Sequence, residues 1–283
     1  MQVVAVLSLK GGVGKTTVVL GLAGAASQHG LRTLVVDLDP QANATSAMHP
    51  SPTTATIADV LDEPQRSVLR AAIGVSAWSE DLHVLVGSES NERHNYPDPS
   101  AKQLERLDRA LRRITDPTFD DELSEGYGLV LIDCPPSLGQ LTRSALVAAD
   151  RAVLVAEPTI FAVTGVQRAF EAVQDERVRG NSRLHLLGVL LNRVRTRSVE
   201  HAFRVAELRD LFGPMVLAGA IPDRSAIQQA QGAGVPIQLW DTPGAREATL
   251  VFESLLGRIL RSRTRPARHS EPPRFTEESP ASG

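Results

Sequence analysis

Cysteine is nearly absent from this chain: among 283 residues only Cys134 carries a thiol. That excludes an intramolecular disulfide framework, and equally an iron–sulfur cluster or structural zinc built from the cysteines of one chain. Aromatic residues are scarce at 4%. No apolar run approaches the roughly 20 residues of a membrane span. The opening Met1–Leu9 has no basic segment ahead of its apolar residues and so does not resemble a secretory signal. Neither sign of charge dominates, because the net charge is −3; a uniformly basic nucleic-acid binder is excluded. Lysine is the most informative shortage. Of 30 basic residues only Lys10, Lys15 and Lys102 are lysine. Two of them stand close together among glycines. A compact ammonium on a flexible stem is used there although arginine is the default elsewhere.

What the chain does contain is an alternation of short apolar runs with helical periods. Val3–Leu7, Arg32–Asp37, Leu82–Val86, Leu129–Ile132, Ala152–Ala156, Leu186–Leu191 and Met215–Ala220 read as buried strands. Helices are expected over Lys15–His29, Ile57–Leu61, Gln103–Ile114, Leu141–Ala148, Val163–Val178, Val199–Leu211, Ser225–Gln231 and about Ala245–Leu260. The stretch Ala42–Ser100 is less regular. Strands alternating with helices predict an α/β fold with a mostly parallel twisted sheet and helices on both faces. Residues 1–262 read as one domain. Residues 263–283 are rich in Pro, Ser and charge, without an apolar period, and read as a disordered tail.

The strongest local signal is Lys10-Gly11-Gly12-Val13-Gly14-Lys15-Thr16-Thr17, between the first strand and first helix. Glycines let backbone N–H groups curl around phosphate oxygens, and the helix N-terminus adds its dipole. Lys15 is placed to reach the β- and γ-phosphates, and the Thr16 hydroxyl to ligate Mg²⁺. The ordinary phosphate-loop pattern needs glycine at position 9, which is Leu9, and this departure coincides with the extra lysine, Lys10. Asp37 and Asp39 end the second strand, spaced to share one side of an extended chain. Asp133 ends another apolar strand, where a carboxylate can hold Mg²⁺ through water. Cys134 next to it has no evident His or Cys partner and reads as buried and inert. Asn192, at the end of the run Leu186–Leu191, can both donate to and accept from adenine; a loop-capping asparagine is the plain alternative.

These motifs make the chain identifiable by resemblance. KGGVGKTT resembles the deviant Walker A motif of the ParA/MinD group of P-loop ATPases. VVDLDPQANATS, at Val35–Ser46, resembles the following motif of ParA-type partition ATPases. LVLIDCPPSLG, at Leu129–Gly139, resembles their Walker B strand and loop. GVLLNRV and AIPDRSAIQQAQGAGVPI are similar to the later nucleotide-base and C-terminal blocks. The likeness spans about residues 1–260 and is weakest over Met48–Tyr127. It implies a P-loop NTPase-type fold, with ATP and Mg²⁺ as cofactors and a ParA-like ATPase domain over residues 1–262. It also implies that Asp39 activates the attacking water, that Asp37 supports Thr16 and the Mg²⁺ shell, and that Pro222 and Asp223 line the base pocket. Lys10 would contact the ATP of a partner subunit, so that ATP joins a homodimer; a solvated lysine is the plain alternative.

Arg193, Arg195 and Arg197 follow directly, with Arg204 and Arg209 on the next helix. Such a cluster can bind DNA phosphates without reading sequence; a solvated basic face is the competing reading. Arg197 matches a position that chromosomal ParA relatives use for nonspecific DNA contact. A second family arginine is replaced by Ala226, with Arg224 two residues earlier. The resemblance therefore implies a cytoplasmic, nucleoid-associated partition ATPase that binds double-stranded DNA nonspecifically and is stimulated by a ParB-type centromere-binding protein. The alternative is a MinD-like or other cargo-positioning ATPase on a membrane or protein scaffold. The tail holds only Phe275 as a large apolar residue, too little for stable membrane insertion.

Overall fold

A strand as uniformly apolar as Val3–Leu7 must be covered on both faces. In the computed structural model, which describes residues 1–114 and 126–262, β1 (Gln2–Leu7) is buried along its whole length. Val4 and Val6 enter one apolar layer, while Val3, Ala5 and Leu7 enter the other. The remaining strands are β2 (Thr33–Asp37), β3 (Ile73–Val75), β4 (Leu82–Leu85), β5 (Leu129–Asp133), β6 (Arg151–Ala156), β7 (His185–Val194) and β8 (Val216–Pro222). They form one sheet in the order β3-β4-β2-β5-β1-β6-β7-β8. Every pairing is parallel except β3 with β4.

Helices cover both faces. One layer is built by α1 (Lys15–Gln28), α2 (Asn43–Met48), α9 (Ser225–Gly232) and α10 (Pro243–Arg261). The other holds α3 (Ile57–Asp62), α4 (Arg66–Ala72), α5 (Ala101–Ile114), α6 (Gln140–Ala148), α7 (Ala162–Arg179) and α8 (Val199–Phe212). Small residues let α1 pack closely. A Cβ on Gly21 would lie 2.3 Å from the Phe252 ring, so glycine there is what lets α10 rest on α1. Phe252, Leu255, Leu256 and Ile259 of α10 are all buried; the apolar stripe of the last helix serves the core. No described helix is long and apolar enough to cross a membrane.

The sequence reading needs two corrections. The irregular stretch Ala42–Ser100 also contains α2, α4 and the antiparallel edge strand β3. α2 escapes detection because its six residues have no apolar period and its N-cap, Ala42, has φ 50 and no side-chain cap. Tertiary bonds support it instead, since the Thr45 N–H and hydroxyl both donate to Asp37 Oδ2 at 2.8 Å. Finally, β7 continues beyond Leu191 through Asn192 to Val194. Asn192 therefore lies inside the strand. The tail at 263–283 lies outside the described residues.

Candidate nucleotide and metal site

The chain passes from β1 to β2 on one side and later crosses from β5 over β1 to β6. The crevice at the carboxyl ends of the strands around such a reversal is where open α/β sheets take ligands. The loop leaving β1 opens into this crevice, and α1 begins there. Gly14 caps α1 with φ 93 and ψ 37; no side chain caps the helix and no acidic residue occupies its first turn. Amide groups at such a terminus are left for an anion. A Cβ on Gly14 would also strike the Asn192 amide nitrogen at 2.1 Å.

A cleft of about 530 Å³ lies over this loop. Gly11, Gly12, Gly14, Lys15, Thr16 and Thr17 form its floor, with Asp39, Gln41, Asn43, Pro136, Arg193 and Gln231 among its walls. The volume suits a nucleotide. Lys15 is buried, at 6% exposure.

Two carboxylates meet beneath the cleft. Asp37 and Asp133 are register partners on β2 and β5, and both are fully buried. Thr16 Oγ1 donates to Asp133 Oδ2 at 2.7 Å. The expectation that Asp37 supports Thr16 is thus corrected: Asp37 Oδ2 is held by Thr45, whose hydroxyl also accepts from the Gly87 N–H at 3.0 Å. Oδ1 of Asp37 and Oδ1 of Asp133 are buried and have no partner. Burial pushes the Asp37 carboxyl up to about 6, against the two Thr45 hydrogen bonds. Burial, and then the charge of Asp37, push Asp133 well above the usual carboxylate range. Two unpartnered carboxylate oxygens beside a threonine hydroxyl form a hard, all-oxygen donor set that fits Mg²⁺. No described group of three or more His, Cys, Asp or Glu could hold a metal unaided, so a cation here needs phosphate oxygens as well. Behind Asp133, Cys134 is fully buried and its thiol is pushed upward by burial.

Asp39 is 8% exposed and lines the cleft, with its Oδ1 accepting from the Gln41 N–H at 3.0 Å. Lys10, by contrast, is not among the residues that line the cleft. Its Nζ donates to Thr159 Oγ1 at 3.0 Å.

The residues expected around the base are arranged differently. The Asn192 side chain is buried; its Nδ2 donates to Val13 O at 2.7 Å and its Oδ1 accepts from the Arg193 N–H at 2.9 Å. It supports the phosphate loop from beneath. Pro222 and Asp223 lie at the end of β8, and Asp223 pairs with Arg195 at 2.8 Å. None of these three is among the cleft's lining residues. Arg193, whose φ is 55, and Gln231, whose Nε2 donates to Thr17 Oγ1 at 3.1 Å, are. Nothing in the periodicity of α9 singles out Gln231.

The arginine cluster is also less free than its sequence count implies. Arg193 faces the cleft, Arg195 is paired with Asp223, Arg204 with Glu200 and Glu207, and Arg224 with Glu247 at 2.8 Å. Arg197 and Arg209 are exposed and form no ion pair among the described residues.

The sheet order, the uncapped helix behind a glycine loop and the carboxylate pair define a P-loop nucleoside-triphosphatase. Residues 1–186 match the AAA domain family. The chain is 31% identical over 260 residues to the chromosome-partitioning ATPase Soj of Thermus thermophilus, covering 90% of this chain and 96% of that protein. Identity is again 31%, over 245 residues, with the chromosome partitioning protein ParA of Caulobacter vibrioides, covering 85% and 88%. The fold superposes with a TM-score of 0.74 on cobyrinic acid a,c-diamide synthase from Mycobacterium smegmatis, crystallised with an ATP analog and magnesium; identity is 25% and coverage 98% and 100%. The chain belongs to the ParA/MinD group of P-loop ATPases, in the AAA domain family. It is an ATPase, with ATP and Mg²⁺ as its cofactors.

Proposed function

We propose that this ATPase segregates DNA, forming on ATP a homodimer that binds duplex without reading its sequence. A ParB-type centromere-binding partner then triggers hydrolysis and release. The supporting relatives are named for chromosome partitioning and cover nearly all of the chain. The observation that carries the DNA reading is Arg197, exposed and without an ion pair among the described residues just beyond β7. The site of action is the cytoplasm, on the nucleoid.

In this reading the amides of Gly11–Gly14 and the Lys15 ammonium hold the phosphates. Thr16, Asp37 and Asp133 hold Mg²⁺, which supplies positive charge against the phosphate oxygens when bound. Asp39, held by the Gln41 amide, accepts a proton from the attacking water. Asn192 keeps the loop in shape, while Arg193, with Pro222 and Asp223 behind it, borders the base. Lys10 acts on the nucleotide of the partner subunit.

DNA affinity then depends on nucleotide, because one chain offers few free cations and a two-fold dimer doubles them. With Arg197 and Arg209 from each subunit, log K should fall against log salt with a slope of roughly −4. Arg224, Arg195 and Arg193 contribute only if their present contacts are exchanged for phosphate. Arg197→Glu should weaken binding to all sequences about equally, since phosphate contacts carry no base information. Fluorescence anisotropy of random duplex, titrated with ATP-bound and ADP-bound protein at several salt concentrations, checks this. Equal affinity of the two nucleotide forms overturns DNA partition. It would favour a MinD-like or cargo-positioning role on a membrane or protein scaffold, which liposome sedimentation would test next.

A further inference from the structure

Thr159 lies in the turn that joins β6 to α7. β6 pairs in parallel with β1, Leu7 opposite Leu154, so this turn stands beside the start of the phosphate loop. The turn is fixed by its own backbone: the Thr159 N–H donates to Glu157 O at 2.8 Å, and Thr159 O accepts from the Ala162 N–H at 2.9 Å. A β-branched side chain on a fixed backbone has few rotamers, so Oγ1 is held in place. That oxygen accepts from Lys10 Nζ.

Lys10 is half-buried, forms no ion pair among the described residues and does not line its own chain's cleft. With Val13, Phe161 and Gly165 it lines a small hollow between the loop and α7. Ile160 and Phe161, next in the chain, are 62% and 68% exposed. The identity of the acceptor matters. A carboxylate at position 159 would neutralise the ammonium and hold it tightly. A hydroxyl orients it through one hydrogen and leaves two of its three donors unspent.

We propose that Thr159 is a positioning residue for Lys10, holding the ammonium beside its own cleft and ready for phosphate oxygens brought by a second copy of this chain. The inference rests on the ATP-bound homodimer proposed above. Long flexible side chains lose considerable rotamer freedom on being fixed. Thr159 removes part of that cost before the subunits meet.

The test is a two-residue cycle read by sedimentation velocity with Mg²⁺ and a slowly hydrolysed ATP analogue. Thr159→Val keeps the shape and loses the acceptor. It should raise the protein concentration for half-dimerisation roughly ten-fold, the scale of the rotamer freedom a long side chain loses on being fixed. Thr159→Ser keeps the acceptor but frees its rotamer, so it should dimerise more tightly than Thr159→Val and no more tightly than the parent. Lys10→Ala should weaken the dimer, and adding Thr159→Val to it should change nothing further. A fluorescent ADP should bind Thr159→Val as it binds the parent, reporting an intact monomer. Parental dimerisation of Thr159→Val overturns the proposal, and so does an equal loss in the Lys10→Ala background, which would mean Thr159 acts only on the fold. If Lys10→Ala itself dimerises like the parent, the homodimer role of Lys10 falls, and the role of Thr159 with it.

Discussion

Alanine at position 15 should lower ATP turnover by at least about 10²–10³-fold, the usual cost of losing one preorganised donor to developing negative charge. Lys15 is buried in the floor of the cleft, and its charge is felt at Asp133. No other described lysine or arginine forms that floor. Lys15→Arg should rescue little: a planar guanidinium is too broad for a space shaped around a single ammonium. Asp39→Ala should separate the two functions, keeping nucleotide affinity while losing turnover, because Asp39 borders the cleft and is not part of the glycine loop. Phosphate release at saturating Mg²⁺ and ATP, paired with a fluorescent-nucleotide titration, measures both. Parental turnover in Lys15→Ala would remove the phosphate site from this cleft. Parental turnover in Asp39→Ala would remove Asp39 from the proton transfer.

Asp133→Asn should make the nucleotide-free protein more stable at pH 8 and reduce what Mg²⁺–ADP adds. Two carboxylates with unpartnered oxygens, fully buried side by side, oppose folding as they ionise until a cation joins them. The pH dependence has a definite sign. Asp37 is raised from 3.8 to about 6, so its contribution to stability is complete below 3.8 and is lost as pH rises through about 6. A rise of about two pKa units corresponds to roughly 3 kcal/mol. Asparagine can still accept from the Thr16 hydroxyl, and it removes the carboxyl that burial and the charge of Asp37 push upward. Melting by differential scanning fluorimetry should shift upward on the order of 5 °C in the absence of nucleotide. The stabilisation by Mg²⁺–ADP should shrink together with that rise. A lower melting temperature without nucleotide, or an undiminished response to Mg²⁺–ADP, would dismiss the pair as a cation site.

These carboxylates also mark how far the sequence is legible. Val3–Leu7 and Leu129–Ile132 declare themselves as doubly covered strands because every side chain is apolar, and their order relative to the glycine loop places the site. Lys15, Thr16, Asp37, Asp39 and Asp133 are singled out by type, spacing and family resemblance, and the structure gathers them in and beneath one cleft. What stays hidden depends on contacts between distant segments. Thr45 reads as one residue of a motif, yet it holds Asp37. Asn192 reads as a base contact, while its side chain is engaged 179 residues away in sequence, on Val13. Thr159 has no local signal; only the pairing of β1 with β6 brings it to Lys10. The arginines after β7 were visible as charge, but the partners that occupy Arg195 and Arg224 come from other elements.

The lone thiol gives this molecule a built-in clock. Cys134 is sealed behind Asp133, with its N–H donating to Val6 O at 3.3 Å. A thiol reagent can reach it only through transient local opening of the strand ends around the phosphate loop. Its modification rate under native conditions therefore measures how often that edge of the sheet comes apart. With a single cysteine in the chain, the trace needs no mutagenesis and carries no competing signal. Ligand-dependent slowing of that reaction would report, in units of opening frequency, how firmly nucleotide closes the β1–β5 edge.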